Sequence, residues 1–361
     1  MNTLGRLFRV SVVGESHGLL VGALVDGVPP GVEFSTDDVQ PQLDRRRPGQ
    51  NLLATQRQED DRVEFLSGVL EGRTTGAPVL MIIRNQDARS RDYAGLAEVP
   101  RPGHSDYTAR VKFKGFNDPR GGGMFSGRMT AALVMAGALA RKILGPTNVD
   151  LAAHATVIGG VRASGGFDVA RIRANVDKTP VRCADLDAAK RMEEAILTAR
   201  SAKDSVGGVV ECVCEGVPAG LGEPMADSLE SLLSHALFAI PAVKAVEFGD
   251  GFAFADRRGS EVSDPYAAGP SGGVRTLANH NGGILGGITT GMPIVFRVAF
   301  KPTSSIAVPQ PTLNLRTGET ERLEVRGRHD PCIVPRAVPV VEAAAWIALA
   351  DAWMLNRGVV G

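Results

Sequence analysis

Little in this chain is charged in one direction, aromatic or rich in cysteine, and each shortage closes off a class of function. Forty Lys and Arg balance forty Asp and Glu among 361 residues, so no net field draws the protein to nucleic acid or to a membrane surface. Aromatic residues make up 5% and no recognition motif accompanies them, which argues against nucleic-acid binding. The four cysteines, Cys183, Cys212, Cys214 and Cys332, contain no CxxC pair, so redox and zinc work are not indicated and free thiols are expected. No HExxH or paired-His spacing points to a metal. No GxxxxGK marks a nucleotide-triphosphate loop, and no repeat of solenoid length is present. The N-terminus lacks a signal-peptide layout and no apolar run reads as long enough to span a bilayer, so a cytoplasmic location is expected. Lysine is also scarce, with 8 of the 40 basic residues against 32 Arg. Arginine carries a planar five-donor fork suited to carboxylates and phosphates, although genomic base composition is the better account of such a surplus at an average position.

What remains is an ordinary globular composition, 43% hydrophobic and 22% charged, in a chain read as one domain over residues 1–361. Strands are expected over Leu7–Val13, Val21–Val28, Arg62–Leu70, Pro78–Ile83, Val149–Val161, Gly207–Val217, Val243–Phe248 and Pro293–Phe300. Ser35 or Thr36 caps a helix that Pro48-Gly49 stops. Further helices are expected over Met129–Leu144, Leu186–Ala202, Leu229–Ile240 and Pro339–Asn356. The segment Asn85–Pro100 reads as a polar surface excursion. Strands and helices mix without a βαβ beat, so the class is α+β. A strand–strand–helix order recurs in both halves, which hints at internal duplication.

The chemistry gathers around Arg101-Pro102-Gly103-His104 and Arg120-Gly121-Gly122-Gly123. Three glycines permit positive φ and a close approach of backbone to ligand, and the start of the long helix beyond them is expected to offer amides to an anion. His17, His104 and His329 sit in Gly-, Pro- or Arg-flanked loops, where an imidazole can serve as acid or base near neutral pH. Lys301-Pro302-Thr303-Ser304-Ser305 supplies a cation and three hydroxyls, a sensible phosphate or flavin contact. Asp330, beside Arg328 and His329, is expected to stay ionised among cations. Residue chemistry alone therefore describes an enzyme handling a small phosphorylated acid.

Eight motifs together resemble the chorismate synthase family: Gly14-Glu15-Ser16-His17-Gly18, Arg45-Arg46-Arg47-Pro48-Gly49, Ser67-Gly68 through Thr74-Thr75-Gly76, Arg101–His104, Arg120–Gly123, Gly282-Gly283-Ile284 with Gly286-Gly287, Lys301–Ser305 and Gly327–Cys332. They follow the family's order from about Leu4 to Met354. The resemblance implies a phosphate lyase of the shikimate pathway, feeding aromatic amino-acid synthesis. In that reaction 5-enolpyruvylshikimate 3-phosphate loses phosphate and a hydrogen in a 1,4-anti elimination, giving chorismate. Reduced FMN is required without net redox change. Within the family the flavin is reduced either by an intrinsic NAD(P)H-dependent activity or from outside, so NADPH enters as one candidate reductant. A homotetramer built of β-α-β sandwiches, with helices between antiparallel sheets, is implied as well.

By motif position, the resemblance makes His17 the acid at the substrate phosphate, His104 the proton donor to the flavin, and Asp330 the carboxylate relay, with Ser16 close by. Arg46, Arg101 and Arg128 match substrate-binding positions. Arg328 matches a ligand-binding arginine, and Ser126, Ala242, Gly286 and residues Lys301 to Ser305 match FMN contacts. Three positions depart from the pattern. Met124 and Phe125 stand where many members carry Arg and Ser, and Leu52 replaces a basic residue. Arg47, Arg57 and Arg120 are the available substitutes. A catalytically silent flavin- or anion-binding paralogue is the alternative reading.

Overall fold

The structure, a computed structural model, describes residues 2–49, 53, 59–86, 95, 96, 98–269, 272–325 and 329–360, with backbone alone for the last two. Two five-stranded sheets form its outer layers. In the first, strands run in the order Thr3–Leu4, Arg9–Gly14, Leu20–Asp26, Val79–Arg84, Val63–Ser67. In the second the order is Val243–Phe248, Ile294–Phe300, Gly208–Glu215, Asp150–Ile158, Val161–Arg162. Every neighbouring pair is antiparallel.

Among the described residues seven α-helices accompany the sheets: α1 (Thr36–Arg46), α2 (Asp106–Lys112), α3 (Thr130–Leu144), α4 (Val169–Val176), α5 (Leu186–Ser201), α6 (Leu229–Phe238) and α7 (Val334–Val360). Helix α3 packs on the strand Leu20–Asp26 and on α7, while α7 packs on Asp150–Ile158 and Gly208–Glu215. Helices therefore lie between the sheets, as the family resemblance implies. Gly137 on α3 is what permits the close crossing, because a Cβ there would lie 2.6 Å from Ala343 Cα and Cβ on α7.

The hint of duplication has a topological basis. In each half, the four long strands take the spatial order first, second, fourth, third. A helix follows the second strand in each half (α1, α6) and another follows the fourth (α3, α7). The second half inserts α4 and α5 after its first strand. One continuous apolar core joins both halves, from Leu4 to Ala352.

Local chemistry explains most boundaries. Ser35 caps α1 in a reciprocal box: its hydroxyl accepts from Asp37 N at 3.3 Å, and its own N–H donates to Asp38 at 2.9 Å. The strand expected over Arg62–Leu70 breaks at Gly68, whose φ of 81° turns Val69–Leu70 into a separate hairpin with Arg73–Thr74. The strand expected over Val149–Val161 likewise reverses at Gly159-Gly160. Helix α7 begins at Val334, five residues before the expected start at Pro339. A proline loses no intrahelical bond in a first turn, so the chain reads as starting there, whereas Pro339 lies one turn inside.

Two corrections follow from α7 and the loops. Val334–Gly358 is long and apolar enough to cross a membrane by composition, contrary to the expectation that no run is. Within it, 83% of the most apolar window is buried between the sheets. Helices α2 and α4 and the hairpin Gln310–Leu313 with Thr320–Leu323 went unread, being short and weakly apolar. Most of Asn85–Pro100 lies outside the described residues.

Candidate active site

A cleft of about 590 Å³ opens where turns from both halves meet. The turn after Arg9–Gly14 brings His17, the end of α1 brings Arg46, and residues 101–130 form one wall. The turn after α6 supplies Phe238 to Lys244, the segment after Ile294–Phe300 supplies Lys301 to Ser305, and the approach to α7 supplies Asp330 and Arg336. Among the described residues, its permanent cations are Arg46, Arg101, Arg128, Lys244, Lys301 and Arg336, against the single carboxylate of Asp330. Such an excess of guanidinium and ammonium groups suits a polyanion.

The glycine triplet does not run straight into α3. A kinked segment, Arg120–Phe125, and a short 3-10 turn, Gly127–Met129, intervene, because all three glycines adopt positive φ, 61°, 81° and 51°, which no right-handed helix contains. Their role is to let two histidines approach the backbone. A Cβ on Gly121 would lie 2.5 Å from His17 Nε2 and 2.9 Å from Ser16 Oγ, and one on Gly122 would lie 3.6 Å from His104 Cε1. Adjacent glycines thus seat the two imidazoles. Both Gly121→Ala and Gly122→Ala carry the positive-φ penalty of about 1–3 kcal/mol, but only Gly121→Ala drives a methyl into His17. Thermal melts of the two variants should therefore shift similarly, while turnover collapses in Gly121→Ala alone. Equal turnover in both would remove the seating role.

Around His104 the polar groups form a closed set. Arg101 Nε donates to Asp106 Oδ2 at 2.8 Å, its Nη2 to Asp106 Oδ1 at 2.7 Å, and its Nη1 to Ser305 Oγ at 2.9 Å. His104 Nδ1 meets Asp106 Oδ1 at 2.6 Å. Burial acts to raise the Asp106 carboxyl, but the hydrogen bonds from Arg101 and His104 outweigh it and hold the group well below the usual carboxylate range.

A second buried carboxylate organises the opposite side. Asp61, 2% exposed, accepts from Arg46 Nη1 at 3.0 Å and from Arg128 Nη1. Arg46 also donates Nε to Thr130 Oγ1 at 3.2 Å and Nη2 to Gly127 O at 2.8 Å. Arg128 donates Nε to Asn85 Oδ1 at 2.8 Å, and its buried Nη2 makes no hydrogen bond among the described residues, the Glu59 carboxylate standing 3.7 Å away. Burial lowers the Arg46 guanidinium to about 9, Asp61 opposing and Arg336 and Arg128 adding to the fall, so it stays a cation at neutral pH.

Lys301 donates Nζ to Gly103 O and, at 2.8 Å, to Ser304 Oγ, which ties the two walls together. Burial and the nearby Lys244 push its ammonium below its ordinary value. Pro302 lies against Gly207. Thr303 Oγ1 is buried without a hydrogen bond among the described residues. Ala242 lines the cleft at φ 71°, and Ser126 lines it with its hydroxyl accepting from Arg128 N at 3.3 Å. Arg336 donates Nη1 to Asp330 and Nε to Arg46 O at 3.2 Å. His329 lines the same wall.

The cleft thus gathers His17, His104, Asp330, Arg46, Arg101, Arg128, Ser126, Ala242 and residues Lys301 to Ser305. Two other residues of the expected set stand outside it. Ser16 lies buried behind Gly121 with its hydroxyl unbonded among the described residues. Gly286 is at the tip of the hairpin Ile284–Leu285 with Ile288–Thr289, away from the lining. Arg328 lies outside the described residues, as do Leu52 and Arg57. Met124 and Phe125 do line the cleft, with Phe125 tilted against Phe113 at 6.3 Å, whereas Arg120 is turned to Asp118. Asp61, Asp106 and Arg336 were missed. The only signal for Asp106 is its place two residues after His104, and Asp61 and Arg336 become site residues through tertiary contact alone.

Comparisons with known proteins agree in one direction. The sequence model of the chorismate synthase family matches residues 8–354. A chorismate synthase of Methanothermobacter thermautotrophicus is 51% identical over 359 residues, covering 99% of the chain and 95% of the relative. One of Korarchaeum cryptofilum is 51% identical over 357 residues, covering 99% and 98%. One of Cytophaga hutchinsonii is 47% identical over 358 residues, covering 99% of each. A crystal structure of chorismate synthase superposes with a TM-score of 0.75 at 28% identity, covering 99% of the chain and 94% of that structure.

Proposed function

The chain belongs to the chorismate synthase family, and from that premise we propose that it forms chorismate from 5-enolpyruvylshikimate 3-phosphate in the cleft just described. The observation that carries this reading is the convergence of three histidines, four arginines and two lysines on one cleft from both halves of the chain. The C3–O bond breaks as phosphate departs, the C6–H bond breaks, and the double bonds shift between them, so no electrons are gained or lost overall.

The residues present fit a flavin cofactor. The volume lies within the range of about 300–1,000 Å³ common for cofactor sites, and the buried Thr303 hydroxyl is an unused polar group in its wall. Lys301 and Ser304 offer a cation and a hydroxyl, and the left-handed turn at Ala242 brings backbone to the cleft wall. Bound in reduced form, FMN supplies the electron-rich partner that eases phosphate loss. Arg46, Arg128 and Arg336 hold the anionic substrate and exclude its water shell. His17 delivers a proton to the departing phosphate oxygen. His104 exchanges a proton with the cofactor through its cleft-facing nitrogen, and Asp330, kept in place by Arg336, relays the one released from C6.

We further read the chain as one unit over residues 1–361, acting in the cytoplasm as a homotetramer. Exposed Phe252, Tyr266, Val274 and Leu277 provide apolar surface for such assembly. No observation favours the silent paralogue. An anaerobic assay decides the matter: phosphate and chorismate should appear with dithionite-reduced FMN and not with oxidised FMN alone. Turnover restored by NADPH with oxidised FMN would assign the reductase step to this chain. FMN binding without chorismate would sink the catalytic reading.

A further inference from the structure

We propose that Asp106 is a positioning residue that fixes the tautomer of His104, keeping Nδ1 protonated and Nε2 open toward the cleft. The inference rests on the proposed role of His104 in proton transfer and adds the device that makes one ring nitrogen available. Asp106 Oδ2 accepts from Arg101 N at 3.0 Å and Arg101 Nε at 2.8 Å, and Oδ1 accepts from Arg101 Nη2 at 2.7 Å. A carboxylate so supplied with donors is ionised and has no proton to give. Its 2.6 Å contact with His104 Nδ1 is therefore a hydrogen bond only if Nδ1 carries the proton. Arg101 Nη2, 3.0 Å from the same nitrogen, is itself a donor and cannot supply an acceptor for it. The neutral ring is then left with its lone pair on Nε2. Among the described residues no protein group hydrogen-bonds that nitrogen, and it lies beside Gly122 on the cleft wall.

The set is anchored at both ends. Arg101, 5% exposed, reaches Ser305, 8% exposed, in the segment that also carries Lys301. Lys301 in turn bonds Gly103 O, the carbonyl just before His104. The charges facing the imidazole are thus Asp106 and Arg101 from its own turn and Lys301 from the opposite wall. Removing Asp106 should release the ring to either tautomer.

Histidine-selective 15N labelling of the intact protein tests this without any turnover. The His104 signal, assigned by its loss in His104→Gln, should show the Nδ1–H tautomer at high pH in the wild type. In Asp106→Asn the ring should populate Nε2–H. With reduced FMN, kcat of that variant should fall about 10–100-fold with KM changed less than about 3-fold, the scale of lost histidine-orienting carboxylates, and Asp106→Glu should recover part of it. An Nε2–H ring in the wild type overturns the proposal whatever the fate of the catalytic reading. A normal tautomer with unchanged kcat in Asp106→Asn instead leaves the ring positioned but removes Asp106 from the chemistry, which equally overturns it.

Discussion

His17→Ala is expected to lower kcat for phosphate release by about 10²–10⁴-fold, the range that loss of a positioned general acid produces. Phosphate leaving as an unprotonated anion would remain among Arg46, Arg128 and Arg336, where its attraction to the guanidiniums slows departure. A proton from His17 reduces that charge as the C–O bond opens. The arginines that bind substrate do not hold their places through His17, since they bond Asp61, Thr130, Gly127, Asn85 and Asp330. KM should consequently change little. The ring rests on the backbone of Gly121, so its loss opens space at the cleft wall and leaves the core filled. The melting temperature should stay within a few degrees of wild type, equivalent to less than about 1–2 kcal/mol. Single-turnover phosphate release under anaerobic conditions measures the effect directly. A raised KM with unchanged kcat would make His17 a binding residue.

The elements legible in the sequence are those whose signal is local. Ser35 with Asp38 marked a capped helix, Gly and Pro marked turns, and alternating Val, Ala and Cys marked the strands of the second sheet. The glycine triplet announced a close approach of backbone to something, but not what. Its partners are His17 and His104, one of them about a hundred residues away in sequence. The same limit hid Asp61. Nothing in Glu59-Asp60-Asp61-Arg62 separates a buried counter-ion from solvated acids, because burial is decided by α1 and the turn before α3 closing over it. Arg336 was hidden by its place in a proline-flanked helix start, which drew attention to where α7 begins and away from what its first turn carries. Family resemblance supplied the ligands of the cleft residues. It carried no information on the carboxylates behind them, which are visible only once the two halves are packed.

Asp61→Ala should cost about 3–5 kcal/mol of stability, the scale seen when one partner of a buried ion pair is removed and the other is left uncompensated. Here two cations lose their partner together, since Arg46 and Arg128 both bond Asp61 and their side chains are 2% and 3% exposed. Part of the loss is backbone: Asp61 has φ 47°, a left-handed conformation that costs Ala more than Asp or Asn. Asp61→Asn removes the charge while keeping shape, an acceptor and backbone tolerance, so the difference between the two variants gathers the strain with the lost hydrogen bond and volume. Acid unfolding gives the same carboxylate a second signature. Burial acts to raise its pKa, yet Arg46 and Arg128 outweigh burial and hold the group below its ordinary value of 3.8. A carboxylate lowered in the folded state contributes its full stability above the unfolded pKa and loses it as pH falls through the folded one. Wild-type stability, followed by denaturant titration, should therefore fall below about pH 4 more steeply than that of Asp61→Asn, and the two curves should converge at low pH. Parallel curves would mean that Asp61 does not carry the charge that holds the two arginines in place.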